Sequence, residues 1–295
     1  MRVVIVGAGI AGLSAARALL DRGVRPTVIA PDHGNTAFGA GILSGQFADA
    51  DQRRLARRSR EIARGLVATN VCGHAQIATT RRGAATLDGL EDVEEELPPA
   101  LASALAPAFR RRIVRAVFAR EDLWLRVGDL LRELGRGARF LRRRVRSVGD
   151  GVVGTDAGTI ETDRILLALG PRSPRLVPDL ALATEPARTV RARIEVPSMF
   201  HVVETGFYAR PDGAGGAVAG NGSLAGIRRE AARAFGRPVA CRGAGGGVIV
   251  FTHDRAPVLR RMSETTFVLT ALGGDGLALG PALGERAAEW MLGRG

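Results

Sequence analysis

Six residues near the start of the chain, Gly7-Ala8-Gly9-Ile10-Ala11-Gly12, have the spacing of a dinucleotide-binding turn. In such a turn Gly7 permits the tight bend, Gly9 lets the main chain approach a pyrophosphate, and Gly12 allows a helix to pack closely on a strand. The helix that follows offers N–H donors and the positive end of its dipole to the phosphates. A ribose is normally held by an acid at the end of the next strand, which here reads Ala30-Pro31-Asp32. The carboxylate lies past a proline, so a ribose contact and an ordinary turn aspartate both stay open for Asp32. Among other reactive groups, Tyr208 is the only tyrosine, and the four histidines are His33, His74, His201 and His253. No motif surrounds His33, His74 or His201. The chain has no lysine, which removes Schiff-base and lysine-base chemistry. Cys72 and Cys241 stand far apart without ligand-spaced neighbours, so neither a disulfide framework nor a metal centre is indicated.

The glycine turn needs a strand before it and a helix after it. Arg2 to Val6 is a β-branched run, Gly9 to Leu20 is rich in Ala and Leu, and Thr27 to Ala30 supplies a second buried strand. Together they predict a right-handed βαβ unit and a parallel sheet. Residues 49–116 read as helix and loop, an insertion that includes the acidic stretch Glu91 to Glu96 and Pro98-Pro99. Leu123 to Leu134 is expected as an amphipathic helix, Ala138 to Val148 as a strand, Gly151 to Ile160 as a hairpin, and Arg164 to Leu169 as a buried strand. Thr189 to Val196, Phe200 to Arg210 and Ala217 to Gly220 alternate like strands of an antiparallel sheet. Phe267 to Ala271 is a further strand, followed by a glycine turn, Gly273 to Gly276, and a helix, Leu277 to Leu292. The expected fold is α/β, a Rossmann-type domain (1–48, 117–185 and 251–295) interleaved with a smaller α+β domain (49–116 and 186–250) that contains the antiparallel sheet.

An apolar fraction of 46% with 24% charged residues suits an ordinary globular protein, and no apolar run is long enough to span a bilayer. The patterned glycines near the N-terminus argue against a signal peptide, so a reducing cytoplasm is the expected location. The net charge of +12 permits a nucleic-acid partner, but arginines such as Arg53, Arg57, Arg60 and Arg64 fall on a helix opposite Leu55, Ile62 and Leu66. A solvated helix face is the favoured reading.

Several separated segments resemble, in order, the D-amino-acid oxidase and glycine oxidase family of FAD-dependent oxidoreductases. After the first glycine turn they are Phe38 to Ser44, Ala168 to Leu176, Phe207 to Gly213, Thr252 to Leu259 and Gly273 to Pro281, spanning nearly the whole chain. The resemblance implies non-covalent FAD. Its site would comprise Gly7, Gly9, Ile10, Ala11 and Gly12 at the pyrophosphate, Asp32 at the ribose, and Val145, Ala168 and Gly170 on the adenosine side. Gly41, Ile42, Leu43 and Ser44 would lie against the flavin ring. Gly273, Gly274, Asp275, Gly276 and Leu277 would aim a helix N-terminus at its pyrimidine end. Tyr208, His253 and Asp275 are the catalytic candidates.

One departure matters. Ile249 stands where amino-acid oxidases of this family carry the arginine that clamps a substrate carboxylate. Arg242, Arg210 or an arginine of the insertion are the candidate replacements. The expected function is oxidation of a small amine or amino-acid-like substrate by hydride transfer to flavin N5, with oxygen or another carrier as acceptor. Two rivals are a flavin-binding subunit of a larger complex that has lost its own substrate site, and flavin-dependent RNA modification. The sequence leaves oligomeric state open.

Overall fold

The computed structural model describes residues 1–31, 34–220 and 222–294. Among these residues six strands form one sheet in the order Val258–Arg261, Thr266–Thr270, Arg164–Leu167, Val3–Val6, Thr27–Ile29, Arg139–Leu141. Neighbours run parallel except the first pair. The expected βαβ unit is present, with the helix Ile10–Asp21 joining Val3–Val6 to Thr27–Ile29. Every residue of Val3–Val6 is buried because layers cover both faces. Val3 and Ile5 pack with the helices Ile10–Asp21, Val127–Gly135 and Gly276–Met291, whereas Val4 and Val6 pack with a meander of Val145–Gly149, Val152–Thr155 and Gly158–Glu161. A strand sealed on two sides needs an uninterrupted apolar run, and each such side chain contributes roughly 1.5–3 kcal/mol.

Small residues bring the last helix onto the first. A Cβ on Gly284 would come within 2.5 Å of Ser14 Cβ and 2.7 Å of the Ala15 nitrogen, and one on Gly280 within 3.1 Å of Ile10. The start of Gly276–Met291 is thereby held beside the start of Ile10–Asp21.

Seven strands make the second sheet, in the order Cys241–Thr252, Leu182–Ala192, Ala217–Gly220, Phe207–Pro211, Met199–Val202, His74–Ala78, Arg115–Ala119. It is antiparallel apart from the pairing of Met199–Val202 with His74–Ala78. Alternate residues such as Ile77, Phe200 and Phe207 face a core closed by Leu101, Phe109, Ile227 and Phe235 from three overlying helices, Pro99–Ala104, Pro107–Arg110 and Leu224–Phe235. The other face turns toward the parallel-sheet half.

Several local expectations are corrected. Leu123–Leu125 is a strand, paired with both Ile42–Leu43 and Thr69–Val71, and the helix begins only at Val127. Three buried apolar residues in a row serve a covered strand as well as a helix, so periodicity does not separate the two. Residues 49–116 contribute strands Thr69–Val71 and His74–Ala78, and Arg115–Ala119 crosses the end of that segment. The expected strand Ala138 to Val148 is two strands in different sheets, Arg139–Leu141 and Val145–Gly149. Phe200 to Arg210 is a hairpin, turned between Val202 and Phe207. The glycine-rich strand Cys241–Thr252 had no strand-like pattern to betray it.

Candidate active site

Gly7 and Gly12 are fixed by close packing. Gly7 has φ +119° and its N–H donates to Ile29 O at 2.9 Å; a Cβ there would lie 2.1 Å from Ala168 O. One on Gly12 would lie 2.1 Å from Gly7 O. Gly9 differs, because its Cβ would meet only Thr36 Oγ1, at 3.2 Å. Ile10 N–H donates to that same hydroxyl at 3.1 Å, and Gly9 makes no side-chain cap. Ile10 and Ala11 are buried. Ala168 abuts Gly7, Gly170 follows it with φ +53°, and Val145 lies half-buried on the meander. Asp32 lies outside the described residues.

The segment from Gly41 to Ser44 is pressed on the strand beneath it. Gly41 has φ +82°, its Cβ would come 2.1 Å from Leu125 O, and its own carbonyl accepts from Leu125 N–H at 2.9 Å. Ile42 and Leu43 pair with Trp124 and Leu123. Beyond them the chain runs into a buried polar knot centred on Asp122, which is fully inaccessible. Asp122 accepts from Ser44 Oγ at 2.9 Å, Gly45 N–H at 2.7 Å, Gln46 Nε2 at 3.0 Å and Arg60 Nη1 at 2.8 Å. His74 Nδ1 sits 3.5 Å from its Oδ2 and 3.3 Å from Ser44 Oγ. Burial pushes the Asp122 carboxyl up, but His74, Gln46 and Arg60 outweigh it and hold the group below the usual carboxylate range. Arg60 therefore does not belong to a solvated helix face: its guanidinium turns inward, whereas Arg57 and Arg64 stay exposed.

At the second glycine turn the left-handed positions are Ala271 (φ 59°) and Gly273 (φ 55°); Gly276 is not among them. Gly273 N–H donates to Val250 O at 3.0 Å, and no atom lies within 4 Å of a Cβ built on Gly273 or Gly274. Asp275 is the N-cap of Gly276–Met291 but its side chain makes no capping bond, which leaves the first N–H groups of the helix free of a side-chain acceptor. The Asp275 side chain is open to solvent, yet deep enough within the molecule for burial to raise its carboxyl pKa, with His74 and Arg255 opposing that rise. Leu277 is buried behind it.

The inward face of the seven-stranded sheet looks onto these loops. Thr189 Oγ1 donates to Phe38 O at 3.1 Å, and Arg210 donates to Ala40 O while stacking 4.3 Å over Trp124. Arg210 is thus tied to the loop through Nε and Nη1. Tyr208 shares this face, with its hydroxyl over Gly220, where a Cβ would be 2.1 Å away. Burial pushes the Tyr208 hydroxyl up to about 12, against the pull of Arg210. His253 lies on an exposed turn whose Asp254 accepts from Thr252 Oγ1 at 2.6 Å. Ile249 is half-buried opposite Glu185. The structure brings His74 and His201 to the cleft side of the sheet, where only His253 had been singled out by its motif.

A family model described as FAD dependent oxidoreductase, DAO, matches residues 2–290. The chain belongs to the DAO family. Among solved structures it is similar to L-proline dehydrogenase from P. horikoshii, with 17% identity, a TM-score of 0.86, and coverage of 98% of this chain and 92% of that one. Glycine oxidase from Geobacillus kaustophilus gives 21% identity and a TM-score of 0.83 over 100% of this chain and 95% of the other. Iminodiacetate oxidase from Chelativorans sp. BNC1 gives 19% and 0.80 over 100% and 96%. At these identities the likeness establishes the fold. No curated protein matches the sequence.

FAD is the cofactor of the DAO family, and the main chain at Gly9, Gly273 and Gly274 is uncovered, as a cofactor contact would need. A Cβ on Gly9, Gly273 or Gly274 would face open space or one hydroxyl, which leaves that main chain uncovered, whereas one on Gly7, Gly12 or Gly41 would meet main chain at 2.1 Å, so the fold itself requires glycine there. Thr36 is an unforeseen member of the first cradle. Its hydroxyl sits at the helix start though it is 26 residues away from Ile10 in sequence. No helix among the described residues is long and apolar enough to cross a membrane.

Proposed function

We propose that this DAO-family chain is an oxidase or dehydrogenase acting on the CH–NH bond of a small amine or amino-acid-like substrate. The observation that carries this reading is the helix Gly276–Met291, which begins without a side-chain cap and whose N-cap Asp275 lies within electrostatic reach of His74 on the seven-stranded sheet. The fold shared with the proline dehydrogenase and glycine oxidase structures supports it. Gly7, Gly9, Ile10, Ala11, Gly12 and Thr36 would hold the pyrophosphate, Val145, Ala168 and Gly170 the adenosine side, and Gly41 to Ser44 the ring. Bound there, FAD supplies a two-electron acceptor that takes hydride at N5.

The first N–H groups of Gly276–Met291 would favour negative charge at the pyrimidine end, a term that matters in the reduced state and little in the oxidised one. Tyr208, kept protonated, would donate a hydrogen bond to substrate. A neutral amine already carries the lone pair that assists hydride departure, so orientation of the C–H bond is the main task left to the protein. The working division is a cofactor unit over 1–48, 117–185 and 251–295 and a substrate unit over 49–116 and 186–250, with boundaries that fall inside the strands Arg115–Ala119, Leu182–Ala192 and Cys241–Thr252.

Ile249 favours a second reading, a flavin-binding subunit without its own turnover. Anaerobic addition of a panel of amines and amino acids to the purified protein separates the two. Bleaching of the flavin band by any of them supports the enzyme; no bleaching across the panel, with FAD bound, supports the subunit.

A further inference from the structure

The cleft face of the seven-stranded sheet carries two neighbouring rows of side chains. In the first, His74 packs on Ser44 and Asp122, its strand partner Met199 is buried, and Arg210 is committed to Ala40, Pro211 and Trp124. The second row is Gln76, His201 and Tyr208, which are successive partners across three strands: Gln76 pairs with His201, and His201 with Tyr208. Their sequence neighbours Ala75, Ile77, Phe200, Val202, Phe207 and Ala209 point the other way, into the apolar core. All three polar residues are half-buried, and among the described residues none of their side chains has a hydrogen-bond partner. None of their polar atoms is sealed from solvent, so all three can exchange water for a ligand. Three in one row at a spacing of about 5 Å per strand make a surface that a ligand would complete. The Tyr208 ring lies across Gly220, which carries its hydroxyl toward the next strand and widens the row.

The row is uncharged. Burial pulls His201 down to about 4, helped by His74 and opposed by Glu204, and pushes Tyr208 up to about 12. Both are neutral at pH 7 and both still donate, while Gln76 offers a donor and an acceptor. Where the family resemblance expects an arginine stands Ile249, and its cross-strand partner is an acid, Glu185, itself 3.7 Å from Arg255. Arg191 and its cross-strand partner Arg242 lie beyond Arg210, outside the row, and Arg115 at the far end is taken up by Asp88 and Glu95.

We propose that Gln76, His201 and Tyr208 form a neutral hydrogen-bonding wall that selects an amine bearing an uncharged polar group, such as a carboxamide, over the amino acid of the same skeleton. This rests on the reading of the chain as an amine-oxidising flavoenzyme. A carboxylate placed there loses its hydration, and the one cation beside the row, Arg210, already donates to the Ala40 and Pro211 carbonyls, whereas a carboxamide matches donors and acceptors on both sides.

The test uses the FAD-loaded protein and three pairs of probes: glycinamide against glycine, L-alaninamide against L-alanine, and L-prolinamide against L-proline. Dissociation constants come from perturbation of the visible flavin band, and turnover from anaerobic bleaching. Each amide is expected to bind about tenfold or more tightly than its acid. Gln76→Leu and His201→Phe should each weaken the amide about tenfold, while His201→Gln, which keeps a neutral donor and acceptor, should weaken it less than about threefold. Tyr208→Phe, which removes one hydroxyl, carries the same comparison where a larger change releases the flavin. Tighter binding of the acids, no binding of the amides, or amide affinities unmoved in both Gln76→Leu and His201→Phe would overturn the proposal. If amides bind tightly but nothing bleaches the flavin, the enzymatic reading fails and the wall stands. If the acids bleach it and bind better, the wall fails and the enzymatic reading stands.

Discussion

In the parallel-sheet half the groups that would meet the cofactor belong to the main chain, supplied by glycine turns and two helix starts. In the antiparallel half the groups facing the cleft are side chains, presented by strands that are distant in sequence. The first arrangement tolerates almost no change at Gly7 or Gly12, where a Cβ would overlap a carbonyl oxygen at 2.1 Å. The second is held by the register of seven strands, with the opposite face sealed in its own core. A main-chain site is therefore as robust as the fold that makes it, while a side-chain site can be altered without losing the sheet.

The strongest way to break this contrast is at the first glycine turn. Gly7→Ala, strained at φ +119° and overlapping Ala168, should cost more than about 4 kcal/mol in urea unfolding, with loss of folded protein. Gly9→Val should fold with only a small loss of stability, since its Cβ meets a single movable hydroxyl, Thr36 Oγ1 at 3.2 Å, but should purify without FAD. Near-normal flavin occupancy in Gly9→Val would remove Gly9 from the phosphate site.

Next in size is the knot that joins the two halves. Asp122→Asn should cost about 3–5 kcal/mol, since the largely buried Arg60 loses its charge partner. The Asp122 pKa is lowered in the folded state, so its stabilisation is complete above the unfolded value of 3.8 and is lost as pH falls through the folded value below that. Unfolding midpoints measured from pH 5 downward should show this acid loss in the unmodified protein and a smaller one in Asp122→Asn. An equal acid loss in both would exclude Asp122 as its source.

His201 sharpens the comparison from the side-chain half. Its folded pKa of about 4 lies below the ordinary 6.5, so between those values the unfolded chain binds more protons and stability falls as pH is lowered. The loss should be on the order of 2–3 kcal/mol between pH 6.5 and 4. His201→Gln should flatten that limb while leaving FAD content unchanged, and a limb of unchanged depth would show that His201 is not the group responsible.

The smallest effect expected is at the second glycine turn. Gly273→Ala forces a left-handed φ of 55° on a residue with a Cβ and should cost about 1–2 kcal/mol. Gly276→Ala should be nearly neutral, because that position has no positive φ and its Cβ would meet Ile10 at 3.5 Å. Disturbing Gly273 should also lower the flavin reduction potential more than it lowers flavin retention. A wild-type potential in Gly273→Ala would take the turn out of contact with the ring.

The sequence by itself determined what local pattern can encode. A β-branched run before Gly7, an Ala/Leu stretch after it and the glycines preceding Leu277 each specify strand, turn or helix within a few residues, and the backbone groups they expose follow from those elements. Alternation around Phe200, Phe207 and Ala219 likewise marked strands with one buried face. Only the tertiary structure decided what the other face would meet. Ser44 and Asp122 are 78 residues apart, Gln46 and His74 are 28 apart, and Arg60 looked like its solvated helix neighbours until Asp122 came within 2.8 Å. Gln76, His201 and Tyr208 have no motif around them that joins them into one surface. Their adjacency comes from strand register, which long-range pairing and core packing set together, and a pattern confined to one strand does not contain the position of its partner.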